Sequence, residues 1–351
     1  MKKIITGVKS TGSTMHLGNL MGAVLPFQKA AIGNDAAIFI ADLHSLTSVK
    51  NGKTLEEQTL EVAIEYLAIY GVDTPITIFR QSDIHAITKL MWILTNVTPY
   101  SLMLRAHSFK DAEAKNSDIN MGVFNYPILM AADIIGYQID AVPVGQDQRQ
   151  HLEMTRDIVR NFNKIYALEW QNNIEEKDGF RNPGREFFSN ELGKDFFKEP
   201  EAIIDEKVAT LPGIDGRKMS KSYDNFIGIF DDEKLLKKRV MSIVTDSKGV
   251  DDIKDADTCT IVKLLEVFGK PLQIDMVKER YQTPNAGFGY GHAKLILLEA
   301  LAEYLRPYRE RRTNLLGNLE FVEQKLEAGA KIMNARLDAT MEQITKLVGI
   351  H

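Results

Sequence analysis

Ile4-Ile5-Thr6-Gly7-Val8-Lys9-Ser10-Thr11-Gly12-Ser13-Thr14-Met15-His16-Leu17-Gly18-Asn19 reads as a buried strand, a loop of small residues and the first turn of a helix. The apolar run Ile4 to Val8 suits a strand covered on both faces, and Leu17 to about Ile32 has helical spacing. The N–H groups at such a turn, and the positive end of the helix dipole, favour an anion. Gly18 leaves room for a flat base against the backbone, while His16 and Asn19 offer donors toward phosphate. Alone, the turn is unspecific, because glycine-bearing strand–loop–helix turns are common and His16 can serve as a cap.

Outward from this stretch the alternation continues. Ala36 to Ala41, Ile76 to Phe79 and Ala141 to Gly145 read as further strands. Thr54-x-x-Glu57 has the form of a capping box before Leu60, Ala63, Ile64, Leu67 and Ala68, and Ser82 or Asp83 caps a helix carrying Ile84, Ile87, Met91 and Leu94. This βαβαβ order predicts an α/β fold, a Rossmann-like doubly wound parallel sheet whose ligands bind beyond the carboxyl ends of the strands. Lys9, Ser10, Thr11, Asp42, His44 and Gln81 fall there. Residues 100–136 read as a helical insertion, Gln146 to about Tyr166 as a helix, 167–200 as an irregular connection and Lys207 to Leu211 as one more strand. After Asp231 the pattern is helical throughout, with segments at Leu235–Val244, Ile261–Phe268, Ile274–Tyr281, His292–Tyr308, Leu319–Leu326 and Ile332–Leu347. Two domains are expected: a catalytic one over 1–225 and an all-helical one over 226–351.

At 351 residues, the chain exceeds the roughly 100–200 residues of one domain. Its net charge of −5 argues against a general nucleic-acid coat, so any polyanion must be met locally. The basic clusters are Lys234, Lys237, Lys238 and Arg239, and Arg306, Arg309, Arg311 and Arg312. Cys259 is the single cysteine, which excludes an internal disulfide and points to a reducing compartment. The N-terminus runs into a strand with no leader pattern, and no apolar run approaches the roughly 20 residues that span a bilayer. A cytoplasmic location is expected.

The second motif is Lys218-Met219-Ser220-Lys221-Ser222, preceded by Pro212-Gly213-Ile214-Asp215-Gly216-Arg217. Two ammonium groups three residues apart, flanked by hydroxyls and lifted on glycines, can swing onto ATP phosphates and stabilise charge on departing pyrophosphate. The glycines Gly213 and Gly216 are expected to make that loop mobile.

Together, the H-x-G-x turn and K-M-S-K-S match the two signatures of class I aminoacyl-tRNA synthetases. Ala41-Asp42-Leu43-His44-Ser45-Leu46-Thr47, Tyr126-Pro127-x-Leu129-Met130-Ala131-Ala132-Asp133-Ile134 and Val142-Pro143-Val144-Gly145-Gln146-Asp147-Gln148-x-Gln150-His151 closely resemble the tryptophanyl-tRNA synthetases. The resemblance extends through Arg156-Asp157-Ile158 and Val244-Thr245-Asp246-Ser247 and leaves out 167–200. It implies a tryptophan–tRNA ligase that joins L-tryptophan to ATP as tryptophanyl-adenylate and transfers it to tRNA(Trp), with Mg²⁺ carried on the ATP phosphates. It further implies a symmetric homodimer and a helical part, after about 230, that reads the anticodon.

By the same resemblance His16, Asn19, Lys218 and Lys221 carry the chemistry. ATP would be held by Lys9, Ser10, Thr11, Gly12, Gly18, Lys110, Lys115, Gly145, Asp147, Lys218, Met219, Ser220, Lys221 and Ser222. Asp133 would accept the indole N–H, a donor only. Tyr126, Met130, Val142 and Val144 would wall the ring, and His44 and Gln148 would hold the polar end. Asp147 and His151 are four apart on one helix face, but two ligands fall short of a metal site, so no protein-held metal is expected.

Two positions depart from the family pattern. Lys9-Ser10-Thr11-Gly12 stands where many members have Gln-Pro-Ser-Gly, and Ala112 follows Phe109-Lys110-Asp111 where a second lysine is frequent, leaving Lys110 or Lys115 to supply a phosphate contact. The alternatives are a tyrosyl-tRNA synthetase, against which the Ala-Ala-Asp context speaks, and a catalytically inactive regulatory paralogue, against which intact Lys218, Ser220 and Lys221 speak.

Overall fold

Ile4, Ile38, Ile40 and Ile78 turn to one face of a sheet and Ile5, Ala37, Phe39 and Phe79 to the other, and all are buried. Strands buried on both faces are what a parallel sheet clothed in helices requires. A computed structural model describes residues 1–10, 15–106, 109–110, 113, 119–145, 149–168, 196–203 and 211–350. Its sheet joins β1 (Lys3–Val8), β2 (Asp35–Ile40), β3 (Thr77–Arg80), β4 (Ala141–Pro143) and β5 (Glu201–Ile203), all parallel, in the order β3-β2-β1-β4-β5. The order reverses between β1 and β4, so their carboxyl ends flank the crevice where such sheets bind ligands.

The expected fold class holds, with local differences. The chain after β1 turns helical at Leu17–Asn19, passes a π-helical stretch at Leu20–Val24 and continues as α1 (Leu25–Ala31). α2 (Gly52–Tyr70) starts under Asn51, whose side chain accepts the Thr54 N–H at 2.9 Å, so the cap lies three residues before the Thr54 pattern. A 3₁₀ turn at Gln81–Asp83 precedes α3 (Ile87–Thr95), and α4 (Met121–Ile135) is capped by Asn120. α5 (Arg149–Phe162) follows β4. The fifth strand is Glu201–Ile203, too short to show a period, and residues 207–210 of the expected strand lie outside the described residues.

The later helices are α6 (Glu233–Met241), α7 (Thr260–Phe268), α8 (Pro271–Gln282), α9 (Tyr290–Leu316) and α10 (Leu319–Val348). α9 runs along α2, and Arg311 donates to the carbonyls of Ala68 and Ile69 that end it. α10 is one helix where the sequence suggested two, and its course explains the glycine between them. Val322 and Leu326 bury on one side of the sheet, while Met333, Leu337, Met341 and Ile344 bury on the other. Between them Gly329 lies against edge strand β3, where a Cβ would fall well inside contact with the Ile78 carbonyl. The glycine is thus a close-approach position, and the helix covers a sheet edge that would otherwise be exposed. Among the described residues, no helix is long and apolar enough to cross a membrane.

Candidate active site

The two signatures are stitched together by backbone. Leu17 N–H donates to the Ile227 carbonyl at 3.0 Å and Ile229 N–H to the Met15 carbonyl at 2.9 Å, with His16 bridged antiparallel to Gly228. His16 caps the turn: its Nδ1 accepts the Asn19 N–H at 3.2 Å, and Asn19 Oδ1 accepts the His16 N–H at 3.3 Å. Because Nδ1 accepts, the ring proton is assigned to Nε2. Burial, with the Lys221 charge nearby, lowers His16 to about 4, so near neutral pH it is an uncharged N–H donor. Phe226 packs on this ring at 5.7 Å and is itself covered by the Arg239 guanidinium at 4.2 Å.

Gly18 makes the close fit possible. A Cβ there would lie 2.9 Å from His16 Cε1 and 3.4 Å from Met219 Cβ, so the imidazole and the buried Met219 both use the space a side chain would take. The lysine motif lies on a hairpin in which Gly213 N–H donates to the Arg217 carbonyl at 2.7 Å and Met219 N–H to the Leu211 carbonyl at 2.9 Å, turning at Gly216 with φ +81°. Gly213 is not the free hinge its sequence suggested. It is buried, and its missing side chain makes room for the Asn225 amide.

Asn225 is 1% exposed and holds the loop from inside. Its Oδ1 accepts the Ser220 N–H at 2.7 Å, and its Nδ2 donates to the Lys218 carbonyl at 3.0 Å and to Asp215 Oδ1 at 2.7 Å. Ser220 caps the short turn over Lys221–Tyr223. Lys218 and Ser222 are exposed, whereas Lys221 is half-buried, and burial lowers its ammonium pKa against the pull of Glu65.

A second constellation lies past the ends of β2 and β3. Asp133 on α4 is 1% exposed, and its Oδ2 takes His44 Nε2 at 2.9 Å. Gln81 Nε2 reaches Oδ1 at 2.9 Å and Oδ2 at 2.7 Å, while Gln81 Oε1 accepts the His44 N–H at 3.4 Å. Burial pushes the Asp133 carboxyl upward, opposed by His44 and Gln81. Tyr126 sets its ring edge-on to His44 at 5.9 Å, and its hydroxyl meets His151 Nε2 at 2.5 Å. The exposed Lys9 puts its ammonium 5.5 Å from the Tyr126 ring centre. Val142 is buried, Met130 and Val144 are partly so, and Gly145 is exposed at the strand end.

Other predicted residues are placed differently or not described. Ser10 is fully buried, giving its N–H to Ser45 Oγ at 3.0 Å and taking the Thr59 hydroxyl at 3.0 Å. Lys110 is exposed on its helical turn. Thr11, Gly12, Lys115, Asp147 and Gln148 lie outside the described residues. Arg309 and Arg312, two of the basic residues, have partners within the chain in the Ile229 carbonyl and Glu61. Sequence reasoning left out Asn225 and Glu65 and gave Gln81 no role. An Asn soon after the lysine motif and a Glu on the buried face of α2 are the signals that could have flagged the first two.

The model for tRNA synthetases class I (W and Y) matches residues 1–305. A tryptophan–tRNA ligase of Fusobacterium nucleatum subsp. nucleatum is 40% identical over 351 residues, covering 100% of this chain and 98% of the relative. The chain belongs to the tryptophanyl-tRNA synthetase family. Another family member, from Campylobacter jejuni, is 37% identical over 99% of this chain and all of the relative. The crystal structure of a tryptophanyl-tRNA synthetase from Campylobacter jejuni, complexed with ADP and tryptophan, superposes with a TM-score of 0.87 at 35% identity, over 99% of this chain and 100% of that one. A tyrosyl-tRNA synthetase from Archaeoglobus fulgidus, 16% identical with a TM-score of 0.57, shares the fold alone.

Proposed function

We propose that the chain is a tryptophan–tRNA ligase whose first half-reaction takes place between the His16 turn and the lysine loop. The tryptophan carboxylate attacks the α-phosphorus of ATP, a new C–O–P linkage forms, and pyrophosphate leaves with the electrons of the broken P–O bond. In the second step the 2′-hydroxyl of the terminal adenosine of tRNA attacks the tryptophanyl carbonyl, and AMP departs. No protein nucleophile is needed, so catalysis rests on positioning and charge.

The observation that supports this reading is the pair of backbone hydrogen bonds from Leu17 N–H to the Ile227 carbonyl and from Ile229 N–H to the Met15 carbonyl, which join the His16 turn to the segment that follows the lysine motif. There His16 offers a neutral Nε2–H to a phosphate oxygen, and Lys218 and Lys221 meet the charge that grows on pyrophosphate. The neutral donor suits this task, since it keeps its hydrogen bond without adding to the repulsion between cations on the loop. Ser220 and Ser222 serve the loop turn and the phosphates. Mg²⁺ comes with ATP as part of the substrate.

Selection of tryptophan falls to Asp133. Its Oδ1 accepts only from Gln81 among the described residues and retains capacity for the indole N–H. His44 and Gln81 hold the carboxylate in one orientation, and Tyr126, Met130, Val142 and Val144 bound the ring. Phenylalanine would leave a buried acceptor unpaired, a penalty that supports discrimination of roughly 10⁴–10⁵. Lys9, over Tyr126, faces the carboxylate end of the substrate or the phosphates beside it. The region after 226 would meet the tRNA, and the reaction belongs in the cytoplasm with that tRNA. A homodimer through the 84–130 region is supported by the exposure of Trp92, Tyr100 and Met121 there.

Tryptophan-dependent exchange of pyrophosphate into ATP tests the reading. Exchange with tryptophan and not with tyrosine is expected; exchange with tyrosine, or none with either, would overturn it.

A further inference from the structure

In the sequence Arg239 groups with Lys234, Lys237 and Lys238 as a cluster for a polyanion, but on α6 the three lysines are exposed while the Arg239 side chain is only 17% so. Its guanidinium meets the segment that follows the lysine motif. Nη2 and Nη1 donate to Asp224 Oδ1 at 3.2 and 3.3 Å, and Nη1 also reaches the Asp224 carbonyl at 3.4 Å. Asp224 ends the turn that carries Lys221: its N–H donates to the Lys221 carbonyl at 3.0 Å, in a left-handed conformation with φ +47°. The face of the guanidinium lies 4.2 Å from the centre of the Phe226 ring, which packs on the His16 imidazole at 5.7 Å. Arg239 Nε is buried, makes no hydrogen bond among the described residues and stands 3.8 Å from Asp231 Oδ2. That oxygen accepts the N–H of Gly228 at 2.9 Å, and Gly228 is the residue bridged to His16.

One side chain from the helical region thus touches the residue that closes the lysine turn and the ring that backs His16. We propose that Arg239 is a positioning residue for the adenylate step, setting the end of the lysine turn and the His16 imidazole at a fixed spacing. Asp224 is 84% exposed, and an ion pair with so open a carboxylate adds little to stability. What the guanidinium supplies is geometry: a rigid planar fork grips a carboxylate and a carbonyl with its edge while its face covers an aromatic ring. An ammonium can pair with Asp224 or sit over Phe226, but it has neither the fork nor the plane to do both. The role presupposes that His16 and the lysine loop serve the transfer from ATP.

Arg239→Met keeps an unbranched apolar stem and removes the fork, and Arg239→Lys keeps a cation without it. In tryptophan-dependent pyrophosphate exchange we expect kcat lower by about tenfold or more for Arg239→Met and by about three- to tenfold for Arg239→Lys, with tryptophan KM within about twofold of the parent. Melting temperatures should stay within about 3 °C of the parent. Phe226→Leu should also lower kcat, and its combination with Arg239→Met should lose little beyond the larger single loss, because both act through one ring. Asp224→Gly accepts φ +47° without strain and removes an exposed carboxylate, so about a threefold loss is expected from it alone and none in the Arg239→Met background. A parent-like kcat for Arg239→Met, full activity for Arg239→Lys, losses that multiply in the double variants, or a fall in kcat matched by a fall in melting temperature would each overturn the role. Should Arg239→Met fail to fold, Arg239→Lys and Asp224→Gly carry the test, and a parent-like kcat in both overturns it. Absence of exchange in the parent protein would instead count against the functional reading itself.

Discussion

Asn225 holds Ser220 in place: its Oδ1 accepts the Ser220 N–H at 2.7 Å, from a position almost wholly buried beneath the lysine loop. The same amide donates to the Lys218 carbonyl and to Asp215, so three points of the hairpin are tied to one side chain. The loop that carries the lysines is therefore shaped before any phosphate arrives. Asn225→Ala should lower exchange by about tenfold or more while tryptophan affinity stays within about twofold, because the lost bonds orient the lysines and touch no part of the amino-acid pocket. Exchange kinetics and equilibrium dialysis with labelled tryptophan separate the two effects.

Gly18→Ala should act from the other side of the same site. Its Cβ would meet His16 Cε1 at 2.9 Å and Met219 Cβ at 3.4 Å, pushing imidazole and loop apart by tenths of an ångström. A loss of about 10–100-fold in kcat, with little change in melting temperature, is expected from misplacement of this kind. Wild-type exchange by the alanine variant would show that the approach of His16 and Met219 is incidental.

Gln81→Leu tests the pocket. It would leave Asp133 with His44 as its single hydrogen-bond donor among the described residues and unfix the orientation that Gln81 imposes. Tryptophan binding should weaken by about 1–3 kcal/mol and discrimination against phenylalanine should narrow, while ATP KM holds. Both follow from exchange assays with the two amino acids, and a change confined to ATP KM would take Gln81 out of the pocket.

Stability should depend on pH through two residues with opposite signs. His16 falls from 6.5 to about 4 on folding, so its contribution is complete above pH 6.5 and is withdrawn as pH drops toward 4. Glu65 rises from 4.5 to about 7, so it favours the folded state below pH 4.5 and that preference is lost as pH rises through 7. Urea denaturation should therefore find Glu65→Gln more stable than the parent by about 3 kcal/mol at pH 8 and by under about 1 kcal/mol at pH 5. Equal gains at both values would mean that burial does not tax the Glu65 charge.

The sheet was legible because β1, β2 and β3 are apolar runs buried on both faces, and the two signatures because their residue types and order are specific. β5 was not, since three residues, Glu201 to Ile203, carry no period. Gly213 looked like a point of freedom and Gly329 fell between two expected helices, yet both serve close approach, to Asn225 and to Ile78. A glycine's local chemistry is the same in either use, and only the partner in space tells them apart. Glu65 and Asn225 went unread for a related reason. Glu65 bonds to a backbone group 50 positions away in sequence, and Asn225 closes a hairpin whose shape must be known first.

The passage of α10 across β3 also bears on how the protein is made. Met333, Leu337, Met341 and Ile344 complete one face of a sheet whose strands leave the ribosome far earlier, and His16 waits some two hundred residues for Gly228. A nascent chain must therefore carry an unfinished crevice and an apolar face that its earlier helices cover only in part, shielded by chaperones or by speed. Chains cut short before residue 319 would keep both signatures and still be candidates for aggregation and proteolysis. In this architecture, the thirty residues of α10 decide whether the sheet made before them is retained.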